Sequence, residues 1–235
     1  MGPVGQYSDQ GDSSFYWNLK STENNESALA FFDMLHQTII VKGGEETHYS
    51  QVADGIWGWL KTMYNQEEHL FMRGARFDGK QWIRDEVSVF ATDTTSWAVS
   101  AALNRILADS FFGATPQDRL AEVEAMLKAT EEQSGIYNNE GKLVGMSFGP
   151  QTKFSGIISI EWSAHYLLAL LHVAQAFEKA GDTAKAQEYR GGNRGMGRCG
   201  IHLVFSVGKG WGKPLPASRQ WREPPTGTER YQLER

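Results

Sequence analysis

Apolar residues recur every three or four positions through most of the first 190 residues, and the recurrence predicts six helices. In the first, Leu29, Phe32, Leu35 and Ile39 follow the N-cap candidates Ser21 and Thr22, and Lys42-Gly43-Gly44 ends the run after Val41. A second helix, over about 51–64, carries Val52, Ile56, Trp59, Leu60 and Met63 on one side. The third opens within Ala91–Trp97, with Asp93, Thr94 or Thr95 as N-cap, and places Trp97, Val99, Leu103, Ile106 and Leu107 before Phe111. The fourth starts at Thr115-Pro116-Gln117-Asp118, which supplies a cap, a proline in the first turn and a carboxylate three residues on; Gly135 stops it. Glu122, Glu124, Lys128, Glu131 and Glu132 form its solvated face.

The longest helix spans residues 154–181 and is apolar around most of its circumference. Glu161, His165, His172, Gln175 and Lys179 are the exceptions, and they fall in a stripe about 80° wide and about 27 Å long. After Gly181, Asp182 caps a sixth helix carrying Ala184, Ala186 and Tyr189. Between the helices the pattern changes. Asp78-Gly79 lies between Arg76-Phe77 and Gln81-Trp82-Ile83, with Val87, Val89 and Phe90 beyond, and predicts a hairpin and a short strand. Asn138-Asn139-Glu140-Gly141 marks a second hairpin. The chain therefore reads as three helix pairs separated by two β-hairpin excursions.

Three segments follow: an extended lead-in at 1–20, a helical domain at 21–190, and a tail at 191–235 in which the period is lost. The tail holds nine Gly and four Pro, with eight Lys plus Arg against three Asp plus Glu, a net of +5 beside −10 for residues 1–190. Its reading is either a basic segment bound to the domain or one that does not continue the original fold. The whole chain, at net −5, lacks the basic balance that phosphate neutralisation needs, so nucleic acid is not the expected partner. No apolar run approaches the roughly 20 residues of a membrane span, and the start has no signal-peptide pattern. The expected location is cytoplasmic, or periplasmic or secreted if the start is a processed one. Cys199 is the only cysteine, which excludes an internal disulfide and a thiolate metal cluster.

Nothing in the His, Asp and Glu spacing matches a metal motif, and no nucleotide-binding pattern is present, so neither metal nor cofactor is expected. The glycines from Gly191 to Gly197 follow a helix and lack the ending of a phosphate loop. Gly145-Met146-Ser147-Phe148-Gly149 spells a nucleophile elbow in letters, but within a hairpin.

Alternating buried and amphipathic helices joined by hairpins describe a double-walled helical ring. The strings Ser21-Thr22-Glu23-Asn24-Asn25, Ala53-Asp54-Gly55-Ile56, Ala91-Thr92-Asp93 with Trp97, and Ile160-Glu161-Trp162 carry a resemblance to the (α/α) toroid, glycoside-hydrolase-like six-hairpin group over residues 20–190. The resemblance implies a mainly α fold, an incomplete toroid since six of twelve helices are present, and a carbohydrate substrate. Its cleft would lie where helix N-termini meet the hairpins. There Glu161 and Asp93, each in a first helical turn after a hairpin and beside a tryptophan, would serve as acid and base on a glycosidic bond. Asp54 would bind hydroxyls, Trp57, Trp97 and Trp162 would stack on sugar rings, and His165, four residues after Glu161, would pair with it. The competing class is a non-enzymatic helical-repeat binding module, or an inactive toroid fragment, in which the carboxylates only cap helices.

Overall fold

The computed structural model describes residues 19–43 and 48–191. In order, the elements are β1 (Leu19–Ser21), α1 (Thr22–Val41), α2 (His48–Met63), β2 (Tyr64–Asn65), β3 (Leu70–Phe71), β4 (Gly74–Phe77) and β5 (Trp82–Arg84). These are followed by α3 (Thr92–Ala108), α4 (Pro116–Ser134), β6 (Gly135–Tyr137), β7 (Leu143–Met146), the single turn α5 (Pro150–Lys153), α6 (Ile160–Lys179) and α7 (Thr183–Gly191). The chain is mainly helical, and the lead-in aromatics and the basic tail lie outside the described residues.

Helix starts follow the capping chemistry written in the sequence. Ser21 accepts the Asn24 N–H at the head of α1. Thr115 and Asp118 exchange bonds with each other's backbone N–H in a full capping box on α4. Asp182 Oδ1 accepts the Lys185 N–H ahead of α7. At α3 the expectation fails, because Ala91 holds the N-cap position and no side chain caps it. The threonines are committed elsewhere: Thr92 Oγ1 donates to the Ser147 carbonyl, Thr94 Oγ1 to that of Phe71, and Thr95 Oγ1 accepts the Phe71 N–H. They tie the start of α3 to both excursions. Residues 154–159 are not helical either; Gly156 has φ 69°, and α6 begins only after Ser159, whose hydroxyl accepts the Trp162 N–H.

The helices pack as three pairs, α1 with α2, α3 with α4, and α6 with α7. Phe32 stacks on Tyr49 with centroids 6.0 Å apart, and Phe177 on Tyr189 at 5.6 Å. Between pairs, α3 packs on both α1 and α6. These three run in the same direction, since Ser27 meets Trp97, Asp33 meets Arg105, Trp97 meets His165 and Ser100 meets His172. Their N-termini therefore share one end of the domain. One core fills the space between the layers, with Leu29, Leu60, Val99, Ile106, Leu127 and Tyr166 fully buried.

Both excursions are antiparallel. Asp78 Oδ1 accepts the Lys80 and Gln81 N–H groups and Gly79 has φ 97°, which turns β4 into β5. β1 then adds to the free edge of β4, giving the order β1-β4-β5. The expected strand at Val87–Val89 is instead a turn of 3₁₀ helix. It delivers Phe90 into a small satellite core with Leu70 and Met72.

Far from the shared N-terminal end, Arg105 donates through Nε and Nη2 to both Asp33 oxygens at 2.7 and 2.6 Å, and through Nη1 to Asp54 at 2.9 Å. This fork holds α1, α2 and α3 together. Arg105→Met is expected to destabilise the protein by about 1–3 kcal/mol in chemical denaturation, because the half-buried Asp33 loses its partner. A change within about 0.5 kcal/mol, the range of ordinary surface substitutions, would mean that the fork contributes nothing.

Candidate functional site

Four carboxylates stand in the opening turns of the three parallel helices: Glu23 and Glu26 on α1, Asp93 on α3 and Glu161 on α6. Glu23 and Glu161 are exposed, whereas Asp93 is 6% exposed and Glu26 has no exposure at all. Neither Glu26 oxygen has a hydrogen-bond partner, and Asp93 Oδ1 has none. They sit close enough to repel one another. Burial raises the Asp93 carboxyl from its ordinary value to about 7, Glu23 adds to the shift and Glu161 adds a little more, against the opposing pull of the N–H groups of Asp93 and Thr94. Glu26 is pushed well above the usual carboxylate range, first by burial and then by Asp93 and Glu23.

Helix N-termini ordinarily stabilise a carboxylate by about 0.3–1 kcal/mol. Here desolvation outweighs that attraction, and Asp93 stays protonated up to neutral pH.

Trp97 lies one turn beyond Asp93. Its Nε1–H donates to Ser27 Oγ at 3.2 Å, and its ring faces His165 with centroids 4.8 Å apart. The pairing of His165 with Glu161 expected from their spacing does not form a hydrogen bond; the imidazole turns to the tryptophan and its Nδ1 is left without a partner. Trp162 is half-buried and meets Phe148 edge to face at 4.8 Å. Phe148, against Trp162, and Ile160, beside Glu161 at the head of α6, are 44% and 78% exposed, so apolar surface adjoins this end of α6.

The polar stripe of α6 runs along the seam with α3, on the face opposite Tyr166, Leu170 and Val173. Past His165, His172 Nδ1 lies 2.9 Å from the Ser100 carbonyl. A groove lined by Ser100, Asn104, Leu107, His172, Gln175 and Lys179 continues the seam towards the other end.

Asp93, Glu161, Trp97, Trp162 and His165 are thus brought to one end of the domain. Asp54 and Trp57 are not. Asp54 bonds Arg105 in the last turn of α3, and Trp57 Nε1–H donates at 2.9 Å to Asp109, which closes that helix. The cause is directional: α2 runs back along α1, so its first turn lies at the opposite end. The one member of the cluster with no exposure, Glu26, is absent from the sequence expectations, although it stands one turn before Leu29 on the apolar stripe of α1. A carboxylate in register with a buried stripe is the signal that would have found it.

The letters of the nucleophile elbow have a packing explanation. Ser147 is fully buried and donates to the Gly149 carbonyl at 3.0 Å. A Cβ at Gly149 would stand 2.3 Å from the Phe90 carbonyl oxygen, and one at Gly145 2.5 Å from Ile158. Among the described residues no three His, Cys, Asp or Glu side chains gather to hold a metal ion, and no helix is long and apolar enough to cross a membrane. The chain matches no family model, no curated protein and no solved structure.

Proposed function

We propose that the shared N-terminal end of α1, α3 and α6 is the cleft of a carbohydrate-active enzyme, built on an incomplete (α/α) toroid, that hydrolyses a glycosidic bond. The observation that carries the reading is the pair Asp93 and Glu161: a buried carboxyl held protonated to about pH 7 beside an exposed carboxylate on the neighbouring helix. Glycoside hydrolysis uses two carboxyl groups in unlike environments, one to protonate the leaving oxygen and one to act from the other side. Asp93 gives its proton to the glycosidic oxygen as the C–O bond breaks, and Glu161 takes a proton from the water that attacks the sugar carbon. Trp162 with the exposed Phe148 and Ile160 offers surface to the apolar faces of sugar rings. Trp97 keeps Asp93 company on the inner face, with Ser27 and His165 fixing its ring. The side-by-side arrangement of three parallel helices, each backed by a partner, supports the toroid reading.

The test is the release of new reducing ends from a panel of neutral, acidic and amino polysaccharides by the wild type and by Glu161→Gln. Because Glu161 is exposed, its replacement leaves the fold intact. Turnover that falls at least 100-fold supports its role, and turnover that is unchanged removes Glu161 from the reaction. Absence of release from every member of the panel would instead favour a binding module.

A further inference from the structure

Apolar residues stand on two sides of α1, and only one side meets the domain. Inward, Leu29 is fully buried in the core and Phe32 stacks on Tyr49 of α2. Outward, Phe31, Met34 and Val41 are 51%, 61% and 83% exposed. The outward side of α4, by contrast, presents charge, with Lys128 and Glu132 turned to solvent. A helix that is apolar on all sides is ordinarily covered on all sides.

The outward residues of α1 form one line. At about 100° per residue, Glu23, Ser27, Phe31, Met34, Thr38 and Val41 fall within an arc of about 80°, and all six are exposed. Lys42, the exposed C-cap, closes the line beside Val41. From head to foot it reads acid, hydroxyl, aromatic, thioether, hydroxyl, base, which is its own complement when reversed. A second α1 turned end for end about the point between Phe32 and Asp33 sets Phe31 against Met34, Ser27 against Thr38 and Glu23 against Lys42, each pair twice. Sulfur against an aromatic ring is a favourable contact, and opposite charges close both ends of the strip. Among the described residues no ion pair takes up Glu23 or Lys42.

We propose that the outward face of α1 is the interface between two copies of this chain, packed antiparallel about a two-fold axis at the midpoint of the helix. A two-fold contact brings the same patch of both copies together, and this patch fits itself. Parallel packing would oppose Glu23 to Glu23 at one end and Lys42 to Lys42 at the other. The tail at 191–235, at net +5 and without a helical period, offers no line of side chains to match. Because α1 is about 30 Å long and paired helices lie about 8–10 Å apart, the strip covered is well below the roughly 800 Å² per partner of a standard interface. The association is therefore of the weak, exchanging class, with a micromolar dissociation constant. It does not rest on the reading of the N-terminal end as a sugar cleft.

The experiment is sedimentation equilibrium of the full chain in low salt from about 1 to about 300 µM, the range in which a small interface assembles. Circular dichroism checks that each variant is folded, which the exposure of the substituted positions favours. The expected result is a monomer–dimer equilibrium that Met34→Asp abolishes. Glu23→Lys and Lys42→Glu should each weaken the dimer by about tenfold, because each sets like charges opposite one another at both ends. Glu23→Lys combined with Lys42→Glu should restore it to within about threefold of the wild type, since the pairs are re-formed with their signs exchanged. A chain that stays monomeric over the whole range overturns the inference. A dimer indifferent to Met34→Asp also overturns it, because the contact then lies on another face, as does one that the double reversal fails to restore, because Glu23 and Lys42 then do not meet.

Discussion

Glu26→Met is expected to make the protein more stable, by about 1–3 kcal/mol at pH 5 and by more as the pH rises. The side chain has no exposure and neither oxygen is bonded, so the native state carries the desolvation of a polar group with no hydrogen bond to offset it. Methionine fills a similar volume without that cost. The pH dependence follows from the direction of the shift. A carboxyl whose folded pKa lies above its unfolded value binds more protons in the native state, so its contribution is fully present below the unfolded value and is lost as pH rises through the folded one. Above about pH 4.3 the wild type therefore loses stability that Glu26→Met retains. Urea unfolding between pH 4 and pH 8 checks this, and a variant less stable than the wild type across the range would show that Glu26 has partners after all.

Asp93→Asn is expected to reduce hydrolysis by about 10²–10⁴-fold, since the amide cannot give up a proton to the leaving oxygen. The wild type should be active while Asp93 holds its proton and lose rate above about pH 7 as that proton leaves. In the variant the alkaline fall should vanish from whatever rate remains. The stability of Asp93→Asn should change in the opposite sense, rising relative to the wild type above neutral pH by about 2–4 kcal/mol, because each tenfold difference in proton affinity between the folded and unfolded chain is worth about 1.4 kcal/mol. Loss of rate with a gain in stability separates a catalytic acid from a residue that merely supports the fold. Loss of both would assign Asp93 to structure.

Much of the fold was legible because helix ends are local chemistry. Ser21, the Thr115-Pro116-Asp118 box and Asp182 all cap the helices they announce, and Asp78-Gly79 turns the hairpin it announces. Where local signals compete, tertiary contacts decide. Thr94 and Thr95 look like caps and are instead, with Thr92, the bolts that fasten α3 to β3 and to the loop after β7. At the site, a carboxylate in a first helical turn reads the same on every helix. Only the antiparallel pairing of α1 with α2 tells that Asp54 belongs to the far end, with Arg105, while Asp93 and Glu161 belong together. Glu26 is legible only through its register with Leu29 on the apolar stripe of α1; by its place near a helix start alone it is one more acidic residue.

The most direct measurement is a ¹³C NMR titration of the side-chain carboxyl carbons in the wild type and in Asp93→Asn. An aspartate resonance titrating near pH 7 in the wild type, and missing from the variant, is the predicted result. If every aspartate titrates below about pH 5, within the ordinary range for that side chain, Asp93 is not held protonated and the proposed acid is lost.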